Sequence, residues 1–594
     1  MPEWLRSTKR FRLNEISESM AADAILVISN KAAPVSFLAR DGTEIFFYAP
    51  LIGILVAVAF LAPQNGIAWF GRIERAFARL SRNPTRTVVA IGLVSLLVVV
   101  SLTGIAGVPV PKVDDEFSYL LAADTFAHGR LTNPTHRMWM HFETFHTIQQ
   151  PTYASRYPAG QGLILALGQI LGHPVIGVWL SAAFACAAIC WMLMAWLPAR
   201  WAIIGALLAV VHPEILFWSQ RYWGGSLTLA GGALALGGFR RLLDGRDSEL
   251  RPRVRDAALM SLGMSILILC RPYEGGVLIF ILTAGLLIAP FVRNKKSQAL
   301  AIVRVVWPIT LGLVITIAWM GYYNWRVTDN PFRMPQQVYV ATYNAAPVFL
   351  WQTQPTTPVY RHKQMQDFHM GWELRQYTKQ QNFIGLISGA LERFSRLLRS
   401  TFRLWPMLLA FLAIPWALKD KWTRAALFIW ILFTLALLQV TWTFFHYAAP
   451  AFALFFVVAV QSLRHLRVWH WHGKPVGLFL ARGCVILSIL SLPHTFWSVA
   501  QQNRYPRRSQ IESKLRREGG KHLVVVHYAP EINNPVEWVY NAADIDNSQI
   551  VWARELDATQ NRELLNYFKD RRAWMLQVNN RGTHLVPYPS SSNL

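Results

Sequence analysis

The sequence predicts an all-α bundle of membrane-spanning helices followed by a small C-terminal α/β domain. Three observations carry this. Of 594 residues, 53% are hydrophobic and only 15% are charged, whereas a soluble chain of this size carries more charge. Apolar runs near the length that crosses a bilayer recur along the chain. The basic residues behind a formal net charge of +25 gather in short stretches between those runs, as the positive-inside rule requires. The charge therefore calls for a lipid bilayer and not for a nucleic acid.

The runs lie at 46–62, 87–107, 175–197, 201–217, 226–243, 257–271, 274–292, 303–322, 404–418, 425–444, 449–463 and 475–492, which gives about twelve spans. Five basic groups orient them: Arg72 to Arg86, Arg240 to Arg255, Arg293 to Arg304, Lys419 to Arg424 and Arg464 to Lys474. All five fit on the cytoplasmic side if the run at 159–172, too short to span comfortably, does not cross. An interfacial or re-entrant helix is expected there. The opposite side then receives residues 108–174, the long loop 323–403 and the tail from 493. The first 44 residues join them if 46–62 crosses. No cleavable signal is expected, because the chain is mixed and charged before its first apolar run. The expected division is 1–86 as an N-terminal extension with one apolar span, 87–492 as the membrane domain and 493–594 as the small soluble domain.

In the tail, residues 522–528, 549–553 and 573–578 read as strands and 559–568 as a helix. This βαβ-type pattern has no Gly-rich phosphate loop, and a packing or recognition lid is its expected role. Cys186, Cys190, Cys270 and Cys484 all fall in apolar runs without a completing ligand, so they read as small apolar fillers and no metal site is expected.

The chemistry-bearing residues gather on the non-cytoplasmic side. Asp114, Asp115 and Glu116 follow directly on an apolar run and open a helix-compatible stretch. Carboxylates beside a membrane are costly and usually functional. The same pair of aspartates also suits a helix N-terminus, and both readings stand at this point. Asp115 and Tyr119, four residues apart, share a helix face. Arg156, Arg221 and Arg271 supply guanidinium groups. Arg271 interrupts an almost continuous apolar stretch, where a lipid phosphate or Glu274 would be its partner. Glu214 is expected either to pair with Arg221 or His212 or to serve as a second acid. His446 and Tyr447 start a late span, where an aromatic belt is the simplest reading.

These residues resemble a known family. Asp115-Glu116-Phe117-Ser118-Tyr119 is similar to the Asp-Glu-x-x-Tyr motif in the first outer loop of GT-C integral-membrane glycosyltransferases. The branch it resembles holds the protein O-mannosyltransferases, the lipid A aminoarabinose transferases and the rhizobial sugar transferases. His128-Gly129-Arg130-Leu131 resembles the Gly-x-Leu end of the following helix. Arg156-Tyr157-Pro158-Ala159-Gly160 resembles the next segment with Ala159 in place of its second Pro. Arg271-Pro272 echoes a basic residue plus Pro at a hairpin apex. His446-Tyr447-Ala448-Ala449-Pro450 echoes a late Arg-Tyr-x-x-Pro, with His where Arg is usual. The likeness covers residues 87–320 well and 400–495 loosely.

The resemblance implies an inverting transfer of a sugar from a polyprenyl-phosphate donor to an acceptor, in a protein, glycolipid or polysaccharide. It implies a multi-pass protein of the bacterial inner membrane with its site on the non-cytoplasmic face. Asp115 is the expected base, with Asp114 and Glu116 as alternatives. Arg156, Arg271 and Arg221 would hold the donor phosphate. Tyr119, Tyr157, Glu214, Glu274, His446 and Tyr447 are the expected substrate contacts. No cofactor is required, and a carboxylate-bound divalent cation is compatible. The competing classes are a flippase for a lipid-linked sugar, which should show repeated halves that the sequence lacks, and a non-catalytic scaffold, which would not need Asp115.

Overall fold

The computed structural model describes residues 33–64, 67–244, 250–292, 306–503, 507–530, 537–580 and 582–589. The first 32 residues and the basic loop from Arg293 to Arg304 lie outside them. The chain forms two compact units, Met1–Leu61 and Ala62–Leu594. Of the first, the described part is one helix, α1 (Ala33–Leu61), with Pro50 inside it.

The second unit begins with α2 (Ile67–Leu80), which places Trp69 on the exposed side. Then comes α3 (Pro84–Ala106), whose start and stop are local chemistry. The Asn83 side chain accepts the Arg86 N–H, Pro84 occupies the first turn, and Gly107 ends the helix at a φ of 79°. The acidic triplet opens α4 (Asp114–Ala127). After a small antiparallel sheet of β1 (Asn133–Pro134), β2 (Thr147–Ile148) and β3 (Thr152–Ser155) comes α5 (Ala159–Ile170). Its 12 residues are too few to span a bilayer, which requires about 20.

The bundle continues with α6 (Pro174–Trp196), α7 (Ala199–Val210), α8 (Gly225–Asp244), α9 (Leu250–Cys270), α10 (Pro272–Val292) and α11 (Val306–Thr328). In the long loop, α12 (Pro335–Tyr343) and a π-helical turn at Asp367–Glu373 lead to α13 (Phe383–Thr401). Then come α14 (Lys421–Leu437), α15 (Ala449–Leu466), α16 (Val476–Leu490) and α17 (Leu492–Gln502). The core sits around α8 and α15, whose residues are almost all buried.

Among the described residues, five helices are long and apolar enough to cross a membrane: Pro84–Ala106, Pro174–Trp196, Val306–Thr328, Phe445–Leu466 and Val476–Gln502. A sixth candidate is the pair Phe383–Thr401 and Trp405–Ala417, bent by 100°. The twelve apolar runs therefore do not map onto twelve straight spans. The run at 201–217 breaks at His212-Pro213 into α7 and a six-residue helix, Pro213–Trp218. The run at 404–418 is largely a 3-10 helix, Trp405–Ala413, with Pro406 in its first turn. The run at 425–444 leaves the α-helix at Leu437. Periodic apolarity does not reveal such breaks, because they depend on proline and tertiary packing.

The tail begins with α18 (Arg507–Glu518) and folds as a four-stranded sheet. Strand β4 (His522–Tyr528) pairs in parallel with β5 (Ile550–Arg554) and β6 (Arg572–Asn579), and β7 (Gly582–Pro587) adds an antiparallel edge. The helix α19 (Ala558–Tyr567) covers it, capped by Asp557. The sheet does not stand alone. Leu523, Val525, Val551 and Ala553 share a core with Leu121 of α4 and with Phe142 and Tyr153 of the first loop.

One close approach positions the site. A Cβ on Gly160 would lie 2.6 Å from Cys270 Sγ and 2.8 Å from the Leu269 carbonyl oxygen. Only glycine lets the start of α5 rest on the end of α9, and this brings Arg156 and Tyr157 up to Arg271. Gly160→Ala is expected to destabilise the fold by about 1–3 kcal/mol, the usual cost of overpacking. Thermal unfolding of the purified protein measures it; an unchanged midpoint contradicts this packing.

Candidate active site

The aspartates do not cap their helix. Val113 occupies the N-cap position and α4 has no side-chain cap hydrogen bond. Their oxygens have other partners. Asp115 Oδ1 accepts the Tyr157 hydroxyl and lies 2.5 Å from His146 Nδ1. Among the described residues its other oxygen, Oδ2, has no hydrogen-bond partner, and the side chain is 24% exposed. Asp114 Oδ1 accepts the Tyr540 hydroxyl at 2.7 Å. Tyr540 is held by stacking on Phe117, with ring centres 4.2 Å apart, and the Arg508 guanidinium lies over both rings.

The two neighbouring carboxyls are driven apart electrostatically. Burial pushes Asp115 up, but the charges of His146 and Arg156 and the hydrogen bonds from His146 and Tyr157 outweigh it. They hold the group well below the usual carboxylate range. Burial pushes Asp114 up, with the Asp115 and Glu537 charges adding to it, and His146 and Tyr540 do not cancel the rise. Adjacent acids displaced in opposite directions are the arrangement expected where the two carboxyls have different roles. Glu116 is different. It is fully buried, its oxygens accept the Lys112 and Tyr222 backbone N–H groups, and Arg221 lies 3.8 Å away. That geometry braces the loop after residue 218 against α4.

Tyrosines join the guanidinium groups to Asp115. Arg156 donates to the Tyr157 hydroxyl at 3.0 Å and sits over the Tyr157 and Tyr339 rings. Tyr157 stacks on Tyr119 with ring centres 4.4 Å apart. The Arg271 guanidinium lies over Tyr447, 4.5 Å from the ring centre, and 3.7 Å from Glu274. Its electrostatic neighbours include Tyr119 and Tyr157. Among the described residues no hydrogen bond is seen from the Arg271 guanidinium, whose partners are the Glu274 carboxylate and the Tyr447 ring. Asp115, Arg156, Tyr157, Tyr119, Arg271, Glu274 and Tyr447 thus form one cluster. His446 borders it, its ring stacked on Trp223 at 5.1 Å. A cavity that Arg156 borders is lined also by Pro158, Trp319, Tyr323, Asn324 and Gln336, and neither Asp115 nor Arg271 borders it.

Besides Asp114, held by Tyr540, and Glu116, held by backbone N–H groups, two more expected residues sit outside the cluster. Arg221 is turned to Glu116 and to the Phe217 and Trp223 rings. Glu214 pairs with neither Arg221 nor His212 through its carboxylate; its partner is Arg403, at 3.0 Å. The break at His212-Pro213 turns Glu214 toward the end of α13, a tertiary contact that spacing does not reveal. The four cysteines are buried and unbridged. Among the described residues no three His, Cys, Asp or Glu groups converge as a metal set.

Sequence reasoning missed His146, Tyr339 and Tyr540. His146 is a lone histidine without a motif, and the other two reach the site from the long loop and the tail.

No family model matches the sequence, and comparison with curated proteins finds no match. Solved structures do resemble the fold. ArnT from Cupriavidus metallidurans, bound to undecaprenyl phosphate, aligns with 11% identity over 85% of this chain and 98% of its own, with a TM-score of 0.51. Its apo state aligns with 11% identity over 83% and 93%, with a TM-score of 0.50. AglB from Archaeoglobus fulgidus, in complex with an inhibitory peptide and a dolichol-phosphate, aligns with 10% identity over 85% and 74%, with a TM-score of 0.46. The chain is an integral membrane protein with the fold seen in ArnT.

Proposed function

We propose that this protein is an inverting glycosyltransferase that moves a sugar from a polyprenyl-phosphate donor to an acceptor hydroxyl on the non-cytoplasmic face of a bacterial inner membrane. The observation that carries the reading is the gathering of Asp115, Arg156 and Arg271 around Tyr119 and Tyr157 on a fold shared with ArnT, a protein crystallised with undecaprenyl phosphate.

Asp115 Oδ2 takes the proton of the acceptor hydroxyl as its oxygen bonds to the anomeric carbon. The bond from that carbon to the phosphate oxygen breaks on the opposite face, which inverts the configuration. The leaving group is already anionic, so it needs electrostatic holding and no proton. Arg156 and Arg271 supply this at low cost in reorganisation, because aromatic rings already fix their planes. Tyr119, Tyr157 and Tyr447, the rings beside those two guanidinium groups, are the proposed contacts of the sugar. Glu116, Arg221 and Glu214 support the fold beside it.

Mass analysis of glycoconjugates from cells with and without the protein tests the reading. A sugar modification should vanish on deletion, return with the wild-type gene and stay absent with Asp115→Asn. Loss that Asp115→Asn restores points instead to a flippase or a scaffold.

A further inference from the structure

His146 stands in the left-handed region, at a φ of 61°. For a residue with a Cβ this is an unfavourable backbone, and such strain persists where the surroundings over-determine it. Here they do. Its carbonyl oxygen accepts the Ser118 hydroxyl at 2.5 Å and the Arg156 backbone N–H at 3.2 Å. Ser118 also meets the Ser155 hydroxyl at 2.7 Å, which ties α4 to β3 behind it. The ring is packed edge-on against Tyr157, Tyr339 and Phe368. Its side chain is only 10% exposed.

This arrangement sends Nδ1 to Asp115 Oδ1, the oxygen that Tyr157 also occupies. A carboxylate held twice on one oxygen cannot turn, and Oδ2 is left for the incoming hydroxyl. A glycine would fit this backbone without strain, yet the position carries an imidazole.

We propose that His146 is a positioning residue of the transfer reaction: its strained backbone aims Nδ1 at Asp115 Oδ1, so that Asp115 presents Oδ2 to the acceptor. The inference rests on the glycosyltransferase reading and adds a residue to it.

His146→Gly separates the ring from the backbone, because glycine accepts this φ. Three measurements are made on the purified full-length protein. They are thermal unfolding, binding of undecaprenyl phosphate, and polyprenyl phosphate released from the lipid-linked sugars of a membrane extract at several extract concentrations. The variant should stay folded at the assay temperature and bind undecaprenyl phosphate as wild type does. Its maximal rate should fall about 100-fold, the scale of a misplaced reacting group, with little change in half-saturation. Free imidazole should raise the rate of the variant and not of the wild type.

A wild-type rate in His146→Gly overturns the role of His146 and leaves the glycosyltransferase reading standing. So does a fall that imidazole does not touch and that tracks a lower unfolding temperature. If the wild type neither binds undecaprenyl phosphate nor releases any, the function itself falls and this role falls with it.

Discussion

Asp115→Asn is expected to slow sugar transfer by about 10²–10⁴-fold, the range for removing a positioned general base, while undecaprenyl phosphate binding stays near wild type. The amide is isosteric and still meets Tyr157 and His146, so the fold survives; what disappears is the oxygen that accepts a proton. The wild-type carboxyl is held well below the usual range by His146, Arg156 and Tyr157, against its burial. It is therefore ionised at any working pH, always able to receive the proton but weakly basic. Asp114 is engaged by the Tyr540 hydroxyl, and Asp114→Asn should cost far less than Asp115→Asn. Steady-state rates with binding measured in parallel check this. Equal losses in the two variants contradict the assignment of Asp115, and a loss of binding in Asp115→Asn places the residue on the donor instead.

Arg554→Leu is expected to destabilise the protein by about 3–5 kcal/mol, the cost of leaving a buried charge without its partner. Arg554 is 2% exposed and pairs with Glu537, whose side chain has no exposure. It also donates to Gln364 at 2.8 Å and to the Glu143 carbonyl at 3.3 Å, so one guanidinium links the tail, the long loop and the first loop. Tyr540, which reaches Asp114, follows directly on the segment that Glu537 fastens through the Trp538 and Val539 N–H groups. Transfer should fall together with the unfolding temperature. The double variant Arg554→Leu with Glu537→Gln should recover part of the loss, because it removes the orphaned charge but keeps an acceptor for those N–H groups. Additive losses in the double variant contradict the pairing.

These two sites mark how far the sequence could be read. Asp115 was legible because an acidic triplet beside an apolar run is costly, and because Asp-Glu-Phe-Ser-Tyr is a local pattern. Arg271 was legible for the same reason, because it interrupts a stretch in which a lone guanidinium is expensive, and Arg156 was legible through the resemblance of Arg156-Tyr157-Pro158-Ala159-Gly160 to a known segment. The short α5 followed from length alone. The strands at 522–528 and 573–578 followed from their apolar, β-branched content, whereas β7, short and ending at Pro587, gave no comparable signal. Contacts between distant parts of the chain were not legible. Glu214 meets Arg403 across 189 positions, and Tyr540 meets Asp114 across 426. His146 is selected by a backbone conformation that composition does not encode. The helix break at His212-Pro213 and the bend at residues 401–405 reduce the count of straight spans because proline and packing override apolar periodicity.

The most direct measurement is a cryo-EM structure of the full chain with undecaprenyl phosphate in a lipid nanodisc. The phosphate should lie between the Arg156 and Arg271 guanidinium groups, at hydrogen-bond distance from at least one, with Asp115 on the side of its terminal oxygens, from which the sugar departs, and the prenyl ester oxygen turned away. A phosphate bound elsewhere, with those two arginines still facing only their own tyrosines and Glu274, would contradict the account.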